Sequence, residues 1–209
     1  MRRDRSWLAP LTGLAFLVLA IIAFAISGEP PDPTEDSARE IVDFYVDEHD
    51  SQIASAVLAA IAGTLLVFFG GSLRRVLRDA EGPGGMLSAV AFAGTIIIAL
   101  GLAIDATITF TLAETADDIS PSAVQALSAL WSNDFIPFAV GIQIFLLATG
   151  ISVLRHGALP KWIGWIAVAL GVIAVTPIGF AAFIGAGILV AVIGVLLAMQ
   201  ARATGTSEV

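Results

Sequence analysis

Uninterrupted apolar runs constrain this chain more than any other feature. A helix crosses about 30 Å of hydrocarbon with about 20 residues, because each residue rises about 1.5 Å. Runs at 8–26, 53–73, 86–112 and 135–154 each meet that length. A further run at 162–199 holds about 38 residues, roughly 57 Å as one helix, which exceeds a single tilted span. Thr176-Pro177-Ile178-Gly179 lies in its middle, and Pro with Gly punctuates a turn. The run therefore divides into spans near 162–176 and 180–200. The expected fold is all-α: one integral membrane domain over 1–209, a polytopic bundle of six transmembrane helices.

Charge content agrees. Soluble domains carry about 25% charged residues; this chain carries 13%, with 57% hydrophobic. It has no cysteine, which excludes disulfides, thiolate metal sites and a cysteine nucleophile. Arginine supplies all but one of the ten basic residues, and Ala, Val and Gly are abundant, a usage that points to a high-GC bacterial genome.

The loops set the orientation. Arg2, Arg3 and Arg5 precede the first span, Arg74, Arg75 and Arg78 follow the second, Arg155 and Lys161 separate the fourth from the fifth, and Arg202 follows the sixth. With six spans all of these share one side and only Arg39 lies opposite. Basic residues gather on the cytoplasmic side, so both termini are expected there, in a bacterial plasma membrane. Trp7, Trp131, Trp162 and Trp165 fall at span ends, where interfacial aromatics belong. The first apolar run, about 19 residues, exceeds the 7–15 of a signal-peptide core, so span 1 is expected to be retained.

Between the first two spans, three prolines open an extended segment, and Ser37-x-x-Glu40 has the spacing of a capping box. A helix is expected over about 36–48. Asp36, Glu40, Asp43, Asp47 and Asp50 share one face of it, and Ala38, Ile41, Val42 and Tyr45 another. Two readings stand: an external acidic surface that collects cations or docks a basic partner, or an amphipathic helix lying on the outer membrane surface. The segment lacks the Asp spacing and the glycine of an EF-hand loop.

Two basic hairpins resemble each other, GGSLRRVLRDAEGPGGMLSAVAFAG and GISVLRHGALPKWIGWIAVALG. Each passes from Gly through Arg to Gly and Pro and into a new span, in the same orientation, unlike the inverted repeats of many transporters. The stretch 141–171 also resembles part of a bacterial family of six-span membrane proteins of unknown function. The shared features are Gln143 in the fourth span, the turn Gly157-Ala158-Leu159-Pro160-Lys161, and Gly164 with Gly171 in the fifth. The resemblance implies a six-span fold and brings no activity, since none is assigned to the family.

Intramembrane catalysis needs residues this chain does not put in its spans. Its two histidines, His49 and His156, fall in loops, whereas serine-type proteolysis, zinc chemistry and haem ligation need histidine inside the bundle. There is no phosphate-binding glycine loop and no basic, aromatic-laced patch for nucleic acid. No enzyme activity, metal or cofactor is expected. The expected partner is the lipid bilayer, with a homo-oligomer or membrane partner left open and nucleic acid excluded.

Asp105 is the one acidic or basic residue inside an expected span. Gly101 and Thr109 flank it at helical spacing, a small and polar stripe of the kind that faces another helix. Gln143, on the fourth span, is expected at a comparable depth, within reach of an Asp–Gln hydrogen bond. A carboxylate near the bilayer centre is costly and is kept mostly for ion or proton handling. Yet span 3 is longer than a crossing requires, and a low-lying helix would put Asp105 at the outer interface beside Glu114, Asp117, Asp118 and Asp134. Pairs of small residues, such as Ala56 with Ala60, Ala59 with Gly63 and Gly187 with Gly194, provide close helix contacts or a dimer face. Three functional readings follow: an integral membrane protein without catalytic activity, a small ion- or proton-coupled transporter using Asp105, or a scaffold that recruits a partner through 35–50.

Overall fold

The structure, a computed structural model, describes residues 6–174, 176 and 179–206. A short 3-10 helix, Ser6–Leu11, leads into α1 (Thr12–Ile26). Then follow α2 (Ala38–Asp47), α3 (His49–Glu81), α4 (Leu87–Thr115), α5 (Pro121–Trp131), α6 (Phe135–His156), α7 (Lys161–Ile173) and α8 (Phe180–Thr206). Helices are what apolar runs must form where no water can satisfy the backbone, since each closes its own hydrogen bonds. The outward faces stay apolar: Phe24, Phe68, Leu100 and Ile188 are all exposed.

Small residues set the registers of the bundle. A β-carbon at Gly94 would stand 2.8 Å from the Phe145 Cα, and one at Gly141 would stand 2.8 Å from the Ile98 backbone nitrogen. Only glycine lets α4 and α6 approach this closely. Gly101 meets the Phe138 ring one step further on. Each step along α4 is thus matched by a step back along α6. The α1–α3 pair is joined by polar bonds: the Ser55 hydroxyl donates to the Ala23 carbonyl at 3.0 Å, and the Gln52 amide donates to the Ser27 carbonyl. Elsewhere α8 packs antiparallel to α1, with Gly194 against Pro10 and Gly13 against Val190, and runs alongside α6, with Phe183 against Phe138.

Two glycine-capped hairpins close the arginine end. Gly82 and Gly157 take positive φ values of 72° and 74°, and each N–H returns to the carbonyl four residues earlier, ending α3 and α6 alike. The Ser152 hydroxyl donates to Glu81 Oε1 at 2.7 Å, tying one hairpin to the other. Midway through the bundle a void of about 60 Å³ remains, lined by apolar side chains including Phe16, Leu66, Ile98, Phe145 and Phe183.

The opposite end carries a cap. Ile41 and Tyr45 of α2, Leu112 and Ala116 at the far end of α4, and Val124 of α5 form a hydrophobic cluster separate from the main core. Ser37 caps α2 through the expected box, its hydroxyl accepting from the Glu40 N–H and its own N–H donating to Glu40. The Gln125 amide donates to the Pro33 carbonyl at 2.8 Å, so the proline segment is tied to α5.

Three expectations change. Among the described residues five helical stretches are long and apolar enough to cross a membrane: Trp7–Ile26, His49–Glu81, Leu87–Thr115, Pro121–His156 and Phe180–Arg202. The expected span at 162–176 is instead α7, which at 13 residues reaches only about 20 Å. Helix α5 was not expected, although Ser120 at its N-cap and Pro121 in its first turn are standard start signals. Finally, the apolar face of α2 rests on α4 and α5, burying Ile41 and Tyr45 against protein rather than against lipid.

Candidate acidic site beneath the cap

The α4–α6 register decides what Asp105 meets. Residue 94 lies with 145, 98 with 141 and 101 with 138. One further turn of α4 reaches Asp105, and one turn back along α6 reaches Asp134, at its N-cap. Both carboxylates are partly buried, and they lie within electrostatic reach of each other. Beside them is Trp131, the last residue of α5. Helix α4 continues about 15 Å beyond Asp105 to carry the cap, whereas α6 starts at its level. Asp105 therefore sits where bundle and cap join.

Aromatic and hydroxyl groups complete the junction. Tyr45 of α2 is 1% exposed, with its phenol beside Ser128 of α5 and within electrostatic reach of Asp105. Burial of that phenol pushes its pKa up to about 12; the Ser128 hydroxyl opposes the rise and the Asp105 charge adds to it. Trp131 Nε1 faces Asp105 and Ser128 Oγ faces the Tyr45 phenol, while Asp134 Oδ2 is buried with no hydrogen-bond partner among the described residues. A buried carboxylate oxygen without a partner marks a place where a proton, a water or a cation would be accommodated. Two carboxylates of limited solvation within electrostatic reach of each other favour a proton or a cation beside them. Among the described residues no third acidic or histidine side chain joins them in a metal-binding group.

Of the residues expected around Asp105, Thr109 lies one turn nearer the cap and is buried at 5% exposure. Gln143 is not brought to Asp105. It lies nine residues past Asp134 on α6, about 13 Å further into the bundle, and the register sets it level with Ile96. The place expected for Gln143 is taken by Asp134, one of the acids expected beside Asp105 at the outer interface. Ser128 and the phenol of Tyr45 join the junction through α5, a helix of 11 residues that no long apolar run marks in the sequence.

Of the five acids expected on one face, α2 carries Glu40, Asp43 and Asp47, whereas Asp36 precedes its N-cap and Asp50 lies in the first turn of α3. Asp36, Glu40, Asp43, Asp47 and Asp50 are all exposed. Asp36 accepts from the Asp32 N–H at 2.7 Å, and Asp50 meets His49 at 3.0 Å. Glu40 accepts from the Ser37 N–H and hydroxyl, which together hold its pKa below the usual glutamate value. The carboxylates of Asp43 and Asp47 have no hydrogen-bond or ion-pair partner among the described residues. Compared with protein-family models, with curated proteins and with solved structures, the chain finds no match.

Proposed function

We propose that this chain is a non-catalytic membrane scaffold or regulatory subunit that presents the acidic face of α2 to a basic partner. The observation that carries the reading is the cap. Its own hydrophobic cluster fixes α2 on α4 and α5, and it leaves Asp43 and Asp47 exposed and uncommitted. A helix held rigidly loses little freedom on binding, which favours recognition. The proposal includes six crossings of a bacterial plasma membrane with both termini cytoplasmic. Helix α8 runs alongside α6 and antiparallel to α1, which supports one further crossing between α6 and α8. The arginines at the other end support the orientation. The family resemblance contributes to this proposal through the fold alone.

The test combines two variants. A photoreactive group at position 46, beside the acidic face, is expected to cross-link one protein in native membranes, and Asp43→Asn with Asp47→Asn to abolish that product. Asp105→Asn is expected to leave it unchanged. The Asp105–Asp134 pair favours the second reading, proton or cation transport. A proton or cation flux in liposomes that disappears in Asp105→Asn would replace the scaffold reading with that one.

A further inference from the structure

The arginine end holds a recess that the scaffold reading does not use. Arg74, Arg75 and Arg78 follow the apolar run of α3 within little more than one turn. Two hollows meet on them. One, of about 610 Å³, lies between Arg74, Arg78 and the glycine turn at 82–85. The other, of about 440 Å³, extends past Arg75 to Gly71. They share Arg74, Arg78 and Asp79.

Arg74 is the fixed part of this recess. Its guanidinium carbon lies 5.6 Å from the centre of the Phe92 ring, and its Nε is buried without a hydrogen-bond partner among the described residues. No carboxylate of the described residues comes within ion-pairing distance of the three arginines. Asp79 is the one acid in the lining, and it is exposed to water. Neighbouring Glu81 is held by Ser152. Three guanidinium groups against one exposed carboxylate make a site for an anion, and guanidinium forks match phosphate oxygens.

The surroundings select the source of that phosphate. No atom stands within 4 Å of where a β-carbon of Gly71 would be, and Phe68, one turn earlier, is 64% exposed. The recess thus opens directly below a bare apolar face of α3. We propose that Arg74, Arg75 and Arg78 bind the phosphate of an anionic lipid headgroup, with its acyl chains lying along Phe68. The inference rests on the membrane reading given above, and basic recesses at the cytoplasmic ends of spans suit such headgroups.

Native mass spectrometry of the full chain in detergent tests it, with phosphatidylglycerol, phosphatidylcholine and inorganic phosphate as probes. Phosphatidylglycerol is expected to be retained in preference to phosphatidylcholine. Arg74→Gln with Arg78→Gln is expected to bind it about thirtyfold more weakly, at the ordinary worth of two interfacial arginines. Arg155→Gln, at the same end, is expected to bind as before. If the double variant does not fold, the exposed Arg75→Gln is expected to lose about fivefold. Equal loss in Arg155→Gln, or no preference over phosphatidylcholine, would overturn the proposal. Displacement of the lipid by equimolar inorganic phosphate would assign the site to free phosphate instead. Flotation with phosphatidylcholine vesicles tests the membrane reading separately, since it needs no anionic lipid.

Discussion

Asp105 in the body of α4 stands level with Asp134 at the head of α6, two carboxylates meeting where the bundle gives way to its cap. Like charges at such a place repel, and burial weakens the screening that would relieve them. Asp105→Asn and Asp134→Asn are each expected to stabilise the folded chain at neutral pH, by on the order of 1 kcal/mol. Thermal unfolding in one detergent measures this. A lower Tm in either variant would mean that the oxygens share a proton or hold a cation.

Tyr45 is the one tyrosine of the chain, so its ionisation can be followed by ultraviolet absorbance without interference from another phenol. The folded chain is expected to titrate near 12, because burial disfavours the phenolate. The unfolded chain should titrate near the usual value of about 10. The neutral phenol therefore favours the folded state fully below about pH 10, and that contribution is lost as pH rises from there to about 12. Tyr45→Phe should remove this alkaline dependence. A folded-state titration near 10 would show that the cap opens readily.

The capping box of α2 has a pH dependence of opposite sign. Ser37 holds the Glu40 carboxyl below its ordinary pKa, so the box is complete above the unfolded-state value and is lost as pH falls through the lowered folded-state value. Amide exchange in α2 should accelerate over that acidic range. Ser37→Ala should accelerate it already at neutral pH, with local opening about fivefold more frequent. Exchange unchanged in Ser37→Ala would show that contacts with α4 and α5 alone hold the helix.

Two glycines offer a matched comparison. A methyl group at position 94 would meet the backbone of Phe145, whereas one at position 71 meets nothing within 4 Å. Gly94→Ala is expected to cost about 2 kcal/mol as α4 and α6 are forced apart. Gly71→Ala is expected to be neutral or to stabilise by up to about 1 kcal/mol through helix propensity. Equal effects on Tm would contradict the α4–α6 register.

Orientation is open to a direct measurement, because the chain has no cysteine of its own. Asp43→Cys is expected to react with an impermeant maleimide in intact cells, and Arg155→Cys only after lysis. The reverse pattern would place the cap in the cytoplasm and exchange the two faces in every proposal above.

Much of this fold was legible because the dominant forces are local. Apolar runs mark α1, α3, α4 and α8 directly, and Ser37 with Glu40 marks the start of α2. What the sequence concealed is pairing. The choice between Gln143 and Asp134 as the neighbour of Asp105 rests on which glycine meets which backbone, and nothing in a single sequence joins Gly94 to Phe145. Helix α5 escaped for a different reason. Its 11 residues lie among acids that read as loop, and the force that orders it comes from Ile41 and Tyr45, about 80 residues earlier. Helix α7 shows that apolar length in a sequence is not helix length, since Ala174 ends a helix that hydropathy alone would have carried on.

The small void at the heart of the bundle has a bearing on what passes between the two faces. Its lining offers no polar group that could hold water, so it stays dry. Phe145, fully buried, is part of that lining and touches Gly94 of α4. A tilt of α4 against α6 about their glycine contact would shift the acidic junction and the arginine end together, so the two faces are mechanically joined through one helix pair.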